Sequence, residues 1–150
     1  MHLVSDRTTS ESADFQALVQ SLDAYLTIVN GENHSFFNHY NQINNLKNCI
    51  VVYADGEPIG CGAMKVFDNE TMEIKRMYVK ENYRGKGVAK FILASLEQWA
   101  KEMGNKACVL ETSKTMLDAV SLYKSFGYLR IPNYGQYIGV EVSICFKKIV

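Results

Sequence analysis

The sequence predicts a mixed α/β fold, in which a mostly antiparallel sheet of six to seven strands carries helices on both faces. Three observations predict this class. Segments with helical periodicity alternate with short apolar runs. An Asp-Gly pair, Asp55-Gly56, joins two of these runs and is typical of a hairpin turn. A polar loop with two glycines separates a later strand from a helix. With 150 residues, the chain is predicted to form one domain over residues 1–150.

The first half of the chain begins with a predicted helix over residues 12–29, because its apolar residues recur at steps of three and four. Ser10 or Ser12 is its candidate cap. Residues 30–48 are rich in asparagine and are interpreted as a loop with a short helix. Three strands are then predicted to follow as an antiparallel meander, over residues 49–54, 59–67 and 72–79.

The second half begins with a helix over residues 88–103, whose apolar side chains share one face and which ends at Gly104. A strand over residues 106–112 leads to another amphipathic helix, over residues 115–126, which Gly127 closes. The last predicted elements are two strands, over residues 128–131 and 140–149. A loop over residues 132–139 connects them.

Composition limits the function. The chain has 16 basic and 16 acidic residues, which argues against a nucleic-acid or membrane partner, since such surfaces attract a net basic face. No apolar run reaches the ~18 residues of a transmembrane helix, and the N-terminus lacks the apolar stretch of a signal peptide, so a cytoplasmic location is predicted. Four cysteines occur singly, without the close pairs of zinc sites, and are interpreted as reduced packing residues: Cys49, Cys61, Cys108 and Cys145. No metal site is predicted.

The main functional signal is the glycine-containing loop and its flanks. Six of residues 75–90 are basic and one is acidic, in a chain without net charge. Gly85 and Gly87 allow turns in which successive backbone N–H groups point inward. The following helix adds N–H groups without intrahelical partners and the positive end of its dipole. Together these features predict a site for a phosphorylated ligand.

Known phosphate-binding motifs narrow this prediction. The Walker motif is absent. The dinucleotide fingerprint G-x-G-x-x-G fails at its third glycine, which is Lys90 here, and the parallel β-α-β context that it needs is missing. Glu111 lies at a tolerable distance along the chain for a ribose contact, so a dinucleotide-binding, nicotinamide-dependent oxidoreductase stays open as an alternative.

The hexapeptide RGKGVA at residues 84–89 matches the [QR]-x-x-G-x-[GA] signature of the GNAT superfamily of acyl-CoA-dependent N-acyltransferases. The resemblance to small bacterial single-domain members covers roughly residues 50–150 and includes GCGA, EIKRMYV, VLET and AVSLYKSFGY. It implies a GNAT-like fold in which two central parallel strands splay apart and hold the thioester of acetyl-CoA in the opening. It also implies that the backbone of Met77, Tyr78 and Val79 binds the pantetheine arm. The implied pyrophosphate-binding residues are Arg84, Gly85, Lys86, Gly87, Val88 and Ala89.

The resemblance also implies catalytic roles. Acyl transfer to an amine requires an unprotonated nitrogen, donors for the oxyanion and help for the departing thiolate. Glu73 occupies the position where several members place a general base, and the Met77 N–H is the implied oxyanion donor. Tyr123 matches the tyrosine that protonates the coenzyme sulfur. Met116 replaces a common asparagine, so any coenzyme contact by that amide is lost.

The same resemblance places the acceptor site near the polar region with His34 and His39, and near the last loop with Tyr134, Gln136 and Tyr137. The expected acceptor is a primary amine of a small molecule or peptide, acetylated directly within a ternary complex. A homodimer is possible for such domains. An alternative function on the same fold is a non-catalytic acyl-CoA-binding sensor.

Overall fold

The computed structural model describes residues 1–30 and 45–150, in which three α-helices and seven strands form. The helices are α1 (Ala13–Asn30), α2 (Val88–Glu102) and α3 (Leu117–Ser125). The strands are β1 (Leu3–Thr8), β2 (Asn48–Ala54), β3 (Glu57–Asp68), β4 (Thr71–Val79), β5 (Ala107–Ser113), β6 (Leu129–Ile131) and β7 (Ser143–Ile149). No helix in this described part of the chain has both the length and the apolar composition needed to cross a membrane.

The strands form one mixed sheet in the order β1-β2-β3-β4-β5-β7-β6. The β4 and β5 strands are parallel and pair at three positions, of which the last joins Glu73 to Val109. The pairs β1/β2, β2/β3, β5/β7 and β6/β7 are antiparallel. The predicted mixed, mostly antiparallel sheet with two parallel strands is therefore confirmed.

The chain divides into two compact units. The first unit contains residues 1–65 and 75–96, and the second contains residues 66–74 and 97–150. In the first unit, α1 begins where predicted, because the Ser12 hydroxyl accepts a hydrogen bond from the Phe15 N–H at 3.2 Å. Its apolar face joins a core with β2 and β3 that comprises Phe15, Leu18, Val19, Leu46, Cys49, Val51, Cys61 and Ala63. Most of the loop and short helix predicted for residues 30–48 lies outside the described residues.

The hairpin between β2 and β3 has the predicted two-residue turn. Asp55 and Gly56 have φ angles of 49° and 86°, so both central residues are left-handed, and Ala54 pairs with Glu57. This is the type I′ geometry that the Asp-Gly pair favours, because it matches the twist of the flanking strands.

The sequence analysis missed strand β1. Its six residues pair with β2 from Leu3–Ala54 to Thr8–Cys49. The segment LVSDRT has little apolar alternation, and Val4 is 42% exposed. An edge strand such as β1 is held mainly by its one ladder of backbone hydrogen bonds, which do not depend on side-chain type.

The second unit differs from the prediction at β7. This strand begins at Ser143 and not at residue 140, and it pairs with β5 along its whole length. The reason is the Asn133 side chain, whose amide nitrogen donates to the carbonyl oxygens of Tyr137, Val140 and Ser143 at 3.1, 3.2 and 3.1 Å. These bonds hold residues 133–143 as a closed loop, so the strand forms only beyond it.

Candidate active site

The first feature of the candidate site is a break in β4 at Arg76, a non-glycine residue with a φ angle of 57°. The Arg76 side chain is buried and forms an ion pair with Asp23 of α1. Its carbonyl oxygen accepts a hydrogen bond from the Cys61 thiol at 3.4 Å. A left-handed backbone is unfavourable for a residue other than glycine, so it persists only where surrounding contacts hold it. The ion pair and the thiol hydrogen bond, both within the first unit, provide such contacts. The break lies directly before Met77, the first of the three residues whose backbone the resemblance implies in pantetheine binding.

Fewer of the six basic residues in 75–90 are available to a bound phosphate than the sequence suggested. Lys75 and Arg76 are buried, with 8% and 5% of their surface exposed, and Arg76 is neutralised by Asp23. Lys80 lies 3.7 Å from a carboxylate oxygen of Glu57. Counting residues along a strand cannot distinguish inward from outward side chains, and this is why the basic patch is smaller than predicted.

The glycine loop has the predicted geometry. After a single 3₁₀ turn at Glu81–Tyr83, Gly85 and Gly87 adopt φ angles of 73° and 84°. A Cβ atom at either glycine would project into open space. The Phe91 N–H donates to the Gly87 carbonyl oxygen at 3.1 Å, so helix α2 begins directly after the second glycine. The first N–H groups of a helix favour a bound anion, and a loop with left-handed glycines can add further N–H donors.

The Arg84 side chain fixes this loop from within. Its Nε–H donates to the Val79 carbonyl oxygen at 2.9 Å. Its guanidinium carbon lies 5.3 Å from the ring centre of Tyr25 and 5.6 Å from that of Tyr78, which are cation–π distances. The first residue of the signature therefore ties the loop to the end of β4 and to α1. Lys86, which is exposed, has its ammonium 5.7 Å from the Tyr83 ring centre.

Two glycines of β3 place the helix that follows the loop. A Cβ atom at Gly62 would lie 2.8 Å from Ile92 and 2.9 Å from Leu96, and one at Gly60 would lie 3.0 Å from Ile92. Real Cβ contacts are longer, so only glycine lets α2 pack directly on this strand. The GCGA motif, quoted above only for its family resemblance, thus has a packing role that the sequence alone did not reveal.

The second unit contains the predicted base, Glu73, which is 4% exposed. The hydroxyl of Tyr134 donates to a Glu73 carboxylate oxygen at 2.7 Å. Burial, the Glu73 charge and this hydrogen bond all raise the pKa of Tyr134 above its ordinary value, so the phenol stays protonated. Sequence reasoning named both residues but did not connect them.

Tyr123, the predicted acid, is also buried in the second unit. Its ring centre lies 5.9 Å from that of Tyr128 and 6.2 Å from that of Phe146. Burial, with a contribution from Glu111, raises the pKa of Tyr123, which therefore keeps its proton at neutral pH.

Glu111 has a different role from the one weighed in the sequence. Its carboxylate accepts a hydrogen bond from the Ser143 hydroxyl at 2.7 Å. Burial raises the pKa of Tyr137, and the charges of Glu111 and Glu73 raise it further. Glu111 is thus part of a polar cluster within the second unit.

The predicted site residues therefore divide between the two units. The first unit contains the predicted coenzyme-binding residues Met77, Tyr78, Val79, Arg84, Gly85, Lys86, Gly87, Val88 and Ala89. The second unit contains Glu73 and Tyr123. His34 and His39 lie outside the described residues.

A strand broken at Arg76, followed by a loop with two left-handed glycines and a helix on a mixed seven-stranded sheet, is an arrangement typical of proteins that bind phosphorylated ligands through the backbone. A family model described as acetyltransferase (GNAT) matches residues 15–128, and the chain belongs to that family.

Individual relatives agree with this assignment. An Escherichia coli K12 protein named uncharacterized N-acetyltransferase YjgM is 34% identical over 84 residues, which is 54% of this chain and 50% of that protein. The PaiA N-acetyltransferase structure from Thermoplasma acidophilum, in complex with coenzyme A, has a TM-score of 0.73 at 20% identity and covers 100% of both chains. A GNAT acetyltransferase structure from Elizabethkingia anophelis with bound acetyl-CoA has a TM-score of 0.68 at 18% identity, and covers 99% of this chain and 98% of that one. The chain spans about half the length of the first curated relatives it matches.

Proposed function

We propose that this protein is an acetyl-CoA-dependent N-acetyltransferase that acts on a primary amine of a small molecule or peptide. The observation that carries the proposal is the loop before α2, in which Gly85 and Gly87 are left-handed and border open space, in a chain of the GNAT family. A diphosphate suits such a helix start, because it combines negative charge with several acceptor oxygens. The coenzyme-bound structures of relatives support the same ligand.

In this proposal the first unit binds the coenzyme. The loop from Gly85 to Ala89 takes the pyrophosphate through its backbone N–H groups. The Arg84 N–H, which was predicted to take part, instead donates to the Glu81 carbonyl oxygen at 3.2 Å. The backbone of Met77, Tyr78 and Val79 takes the pantetheine arm beyond the break at Arg76. The fixed position of Arg84 supports this assignment, since it holds the loop in one conformation before a ligand arrives.

The proposed reaction is direct transfer, with no metal and no covalent enzyme intermediate. The amine nitrogen attacks the thioester carbonyl carbon and loses a proton to Glu73, directly or through a water. The Met77 N–H stabilises the oxyanion of the tetrahedral intermediate. As the C–S bond breaks, the electron pair stays on sulfur, and Tyr123 donates a hydrogen bond and finally a proton to the thiolate. Glu73 has gained one proton and Tyr123 has lost one, so the reaction neither consumes nor releases a net proton. The products are the acetamide and free coenzyme A, and transfer of the Glu73 proton to Tyr123 through solvent restores the enzyme.

We further propose that residues 1–150 act as a single acetyltransferase domain in the cytoplasm. The family match supports the first part, because residues 15–128 include segments of both compact units. The free thiols of the four buried cysteines are compatible with a reducing compartment.

Two measurements test the proposal. Calorimetric titration with coenzyme A and with NAD compares the two ligand classes, and we expect binding of coenzyme A alone. Release of free thiol from acetyl-CoA is then followed with n-butylamine, ethanolamine, lysine and a short peptide with a free N-terminus, and mass spectrometry identifies the acetamide. Binding of NAD in place of coenzyme A would refute the ligand assignment. Coenzyme binding without turnover of any amine would instead support the acyl-CoA sensor.

A further inference from the structure

The loop after β6 is an ordered part of the second unit. The Asn133 amide donates to three carbonyl oxygens of the loop, so one of its two N–H bonds is shared. The 3₁₀ turn at Gly135–Tyr137 lies inside this arrangement. A loop whose carbonyl groups are held by a single side chain keeps its other side chains in fixed positions.

Tyr134 is the side chain that this loop orients. Its ring meets Phe67 edge-on at a centroid distance of 4.8 Å and Tyr137 at 5.7 Å. Its hydroxyl reaches Glu73, which lies 61 positions away in sequence. The loop therefore delivers a hydrogen-bond donor to a buried carboxylate of another element, and ring packing on two sides limits where that donor can move.

We infer that Tyr134 is a positioning residue for the carboxylate of Glu73, and the inference rests on the proposed role of Glu73 as the general base. The terminal torsion of a glutamate is broad, so a carboxylate without fixed partners samples many orientations. A base must lie within about 2.6–3.2 Å of the proton that it removes. The 2.7 Å bond from Tyr134 holds one carboxylate oxygen and so restricts the rotation of the group, together with the other contacts of Glu73.

If Tyr134 had only a structural role, losing its hydroxyl would lower stability but not kcat. Tyr128, in the same unit, provides a matched control for that possibility. The Tyr128 hydroxyl donates to a Glu97 carboxylate oxygen at 2.9 Å, so it makes the same kind of bond at nearly the same distance. Burial raises the pKa of both phenols, and both are protonated donors. Glu97 has no place in the proposed reaction. Phenylalanine at either position keeps the ring and removes only the hydroxyl.

The experiment compares Tyr134→Phe with Tyr128→Phe, using the amine with the highest rate in the panel above. We expect Tyr134→Phe to lower kcat about 10- to 100-fold, the range for a misplaced catalytic group, and to change the KM for acetyl-CoA less than twofold. Tyr128→Phe is expected to lower Tm by a similar amount but to leave kcat within twofold of the wild type. Equal kcat values for the two variants and the wild type would overturn the inference.

Glu73→Gln separates this inference from the proposed function. If Glu73 is the base, Glu73→Gln loses most of the rate, and adding Tyr134→Phe to it lowers kcat no further. If Glu73→Gln keeps full activity, the base assignment fails and the inference fails with it. If Glu73→Gln is inactive while Tyr134→Phe is fully active, only the positioning role is refuted.

A second variant covers the case in which Tyr134→Phe does not fold. Asn133→Ala keeps Tyr134 and releases the three carbonyl groups that hold its loop. It is expected to lower kcat in the same direction, with the KM for acetyl-CoA again changed less than twofold. An unchanged kcat in folded Asn133→Ala would contradict the inference.

Discussion

Gly87 provides the most direct test of the coenzyme-binding loop. Its φ angle of 84° lies in the left-handed region, and a Cβ atom there would touch nothing within the protein. Gly87→Ala should therefore destabilise the free protein only through backbone strain, about 1–2 kcal/mol. For a chain of this size that is a Tm decrease of roughly 2–8 °C. The added methyl group would occupy open space beside the loop that is proposed to bind the pyrophosphate.

Gly56 is the matched control for this substitution. It has a φ angle of 86° and equally open surroundings, but it lies in the hairpin between β2 and β3. Gly56→Ala should show the same decrease in Tm as Gly87→Ala and bind coenzyme A normally. Gly87→Ala should weaken coenzyme A binding at least tenfold, which corresponds to about 1.4 kcal/mol.

Calorimetric titration measures this difference, and pantetheine provides an internal check. Pantetheine lacks the pyrophosphate, so its affinity should be the same for Gly87→Ala and the wild type. If Gly87→Ala binds coenzyme A as tightly as Gly56→Ala does, the loop does not hold the pyrophosphate and the proposed mode of binding is wrong.

Three further predictions concern the second unit and the core. Tyr123→Phe should lower kcat about 10²-fold and spare coenzyme A affinity, and an undiminished rate would remove its acid role. Burial raises the pKa of the Cys61 thiol to about 12 in the folded protein. Between the ordinary thiol pKa and this value, the unfolded chain loses the thiol proton while the folded protein keeps it. Stability should therefore fall as pH rises from about 9 to 12, and Cys61→Ala should reduce that slope in thermal melts. Lys148→Met breaks a half-buried ion pair with Glu97 and should cost about 1–3 kcal/mol by denaturant unfolding, whereas Lys106→Met at the exposed pair with Glu70 should cost less than about 1 kcal/mol.

Features that depend on local chemistry were predictable from the sequence. The turn at Asp55-Gly56 and the left-handed residues Gly85 and Gly87 follow from which residues tolerate a positive φ angle. Helix α1 begins after Ser12 because a hydroxyl there satisfies a backbone N–H group. In each case the determining atoms lie within a few residues of one another, so the sequence displays them together.

Features that depend on distant partners were not predictable. Arg76 is left-handed although it is not glycine, and the ion pair that holds it comes from Asp23, 53 positions earlier. The donor to Glu73 comes from a loop 61 positions later. Nothing in the residue types marks these pairs, because arginine and tyrosine are common and their partners are set by the fold. Family resemblance drew attention to this loop and this strand, but not to the contacts that hold them.

In the proposed mode of binding, the first unit would need little reordering to take up the coenzyme. Gly60 and Gly62 let α2 lie against β3, Arg84 ties the loop to β4, and Asp23 neutralises the arginine at the break. Each of these contacts is made within the protein, so the loop is held in place without a ligand. Ordering a flexible loop upon binding costs free energy that lowers affinity, and a loop that is already ordered avoids much of this cost. A substitution at Arg84 should therefore weaken coenzyme A binding even if its guanidinium never touches a phosphate.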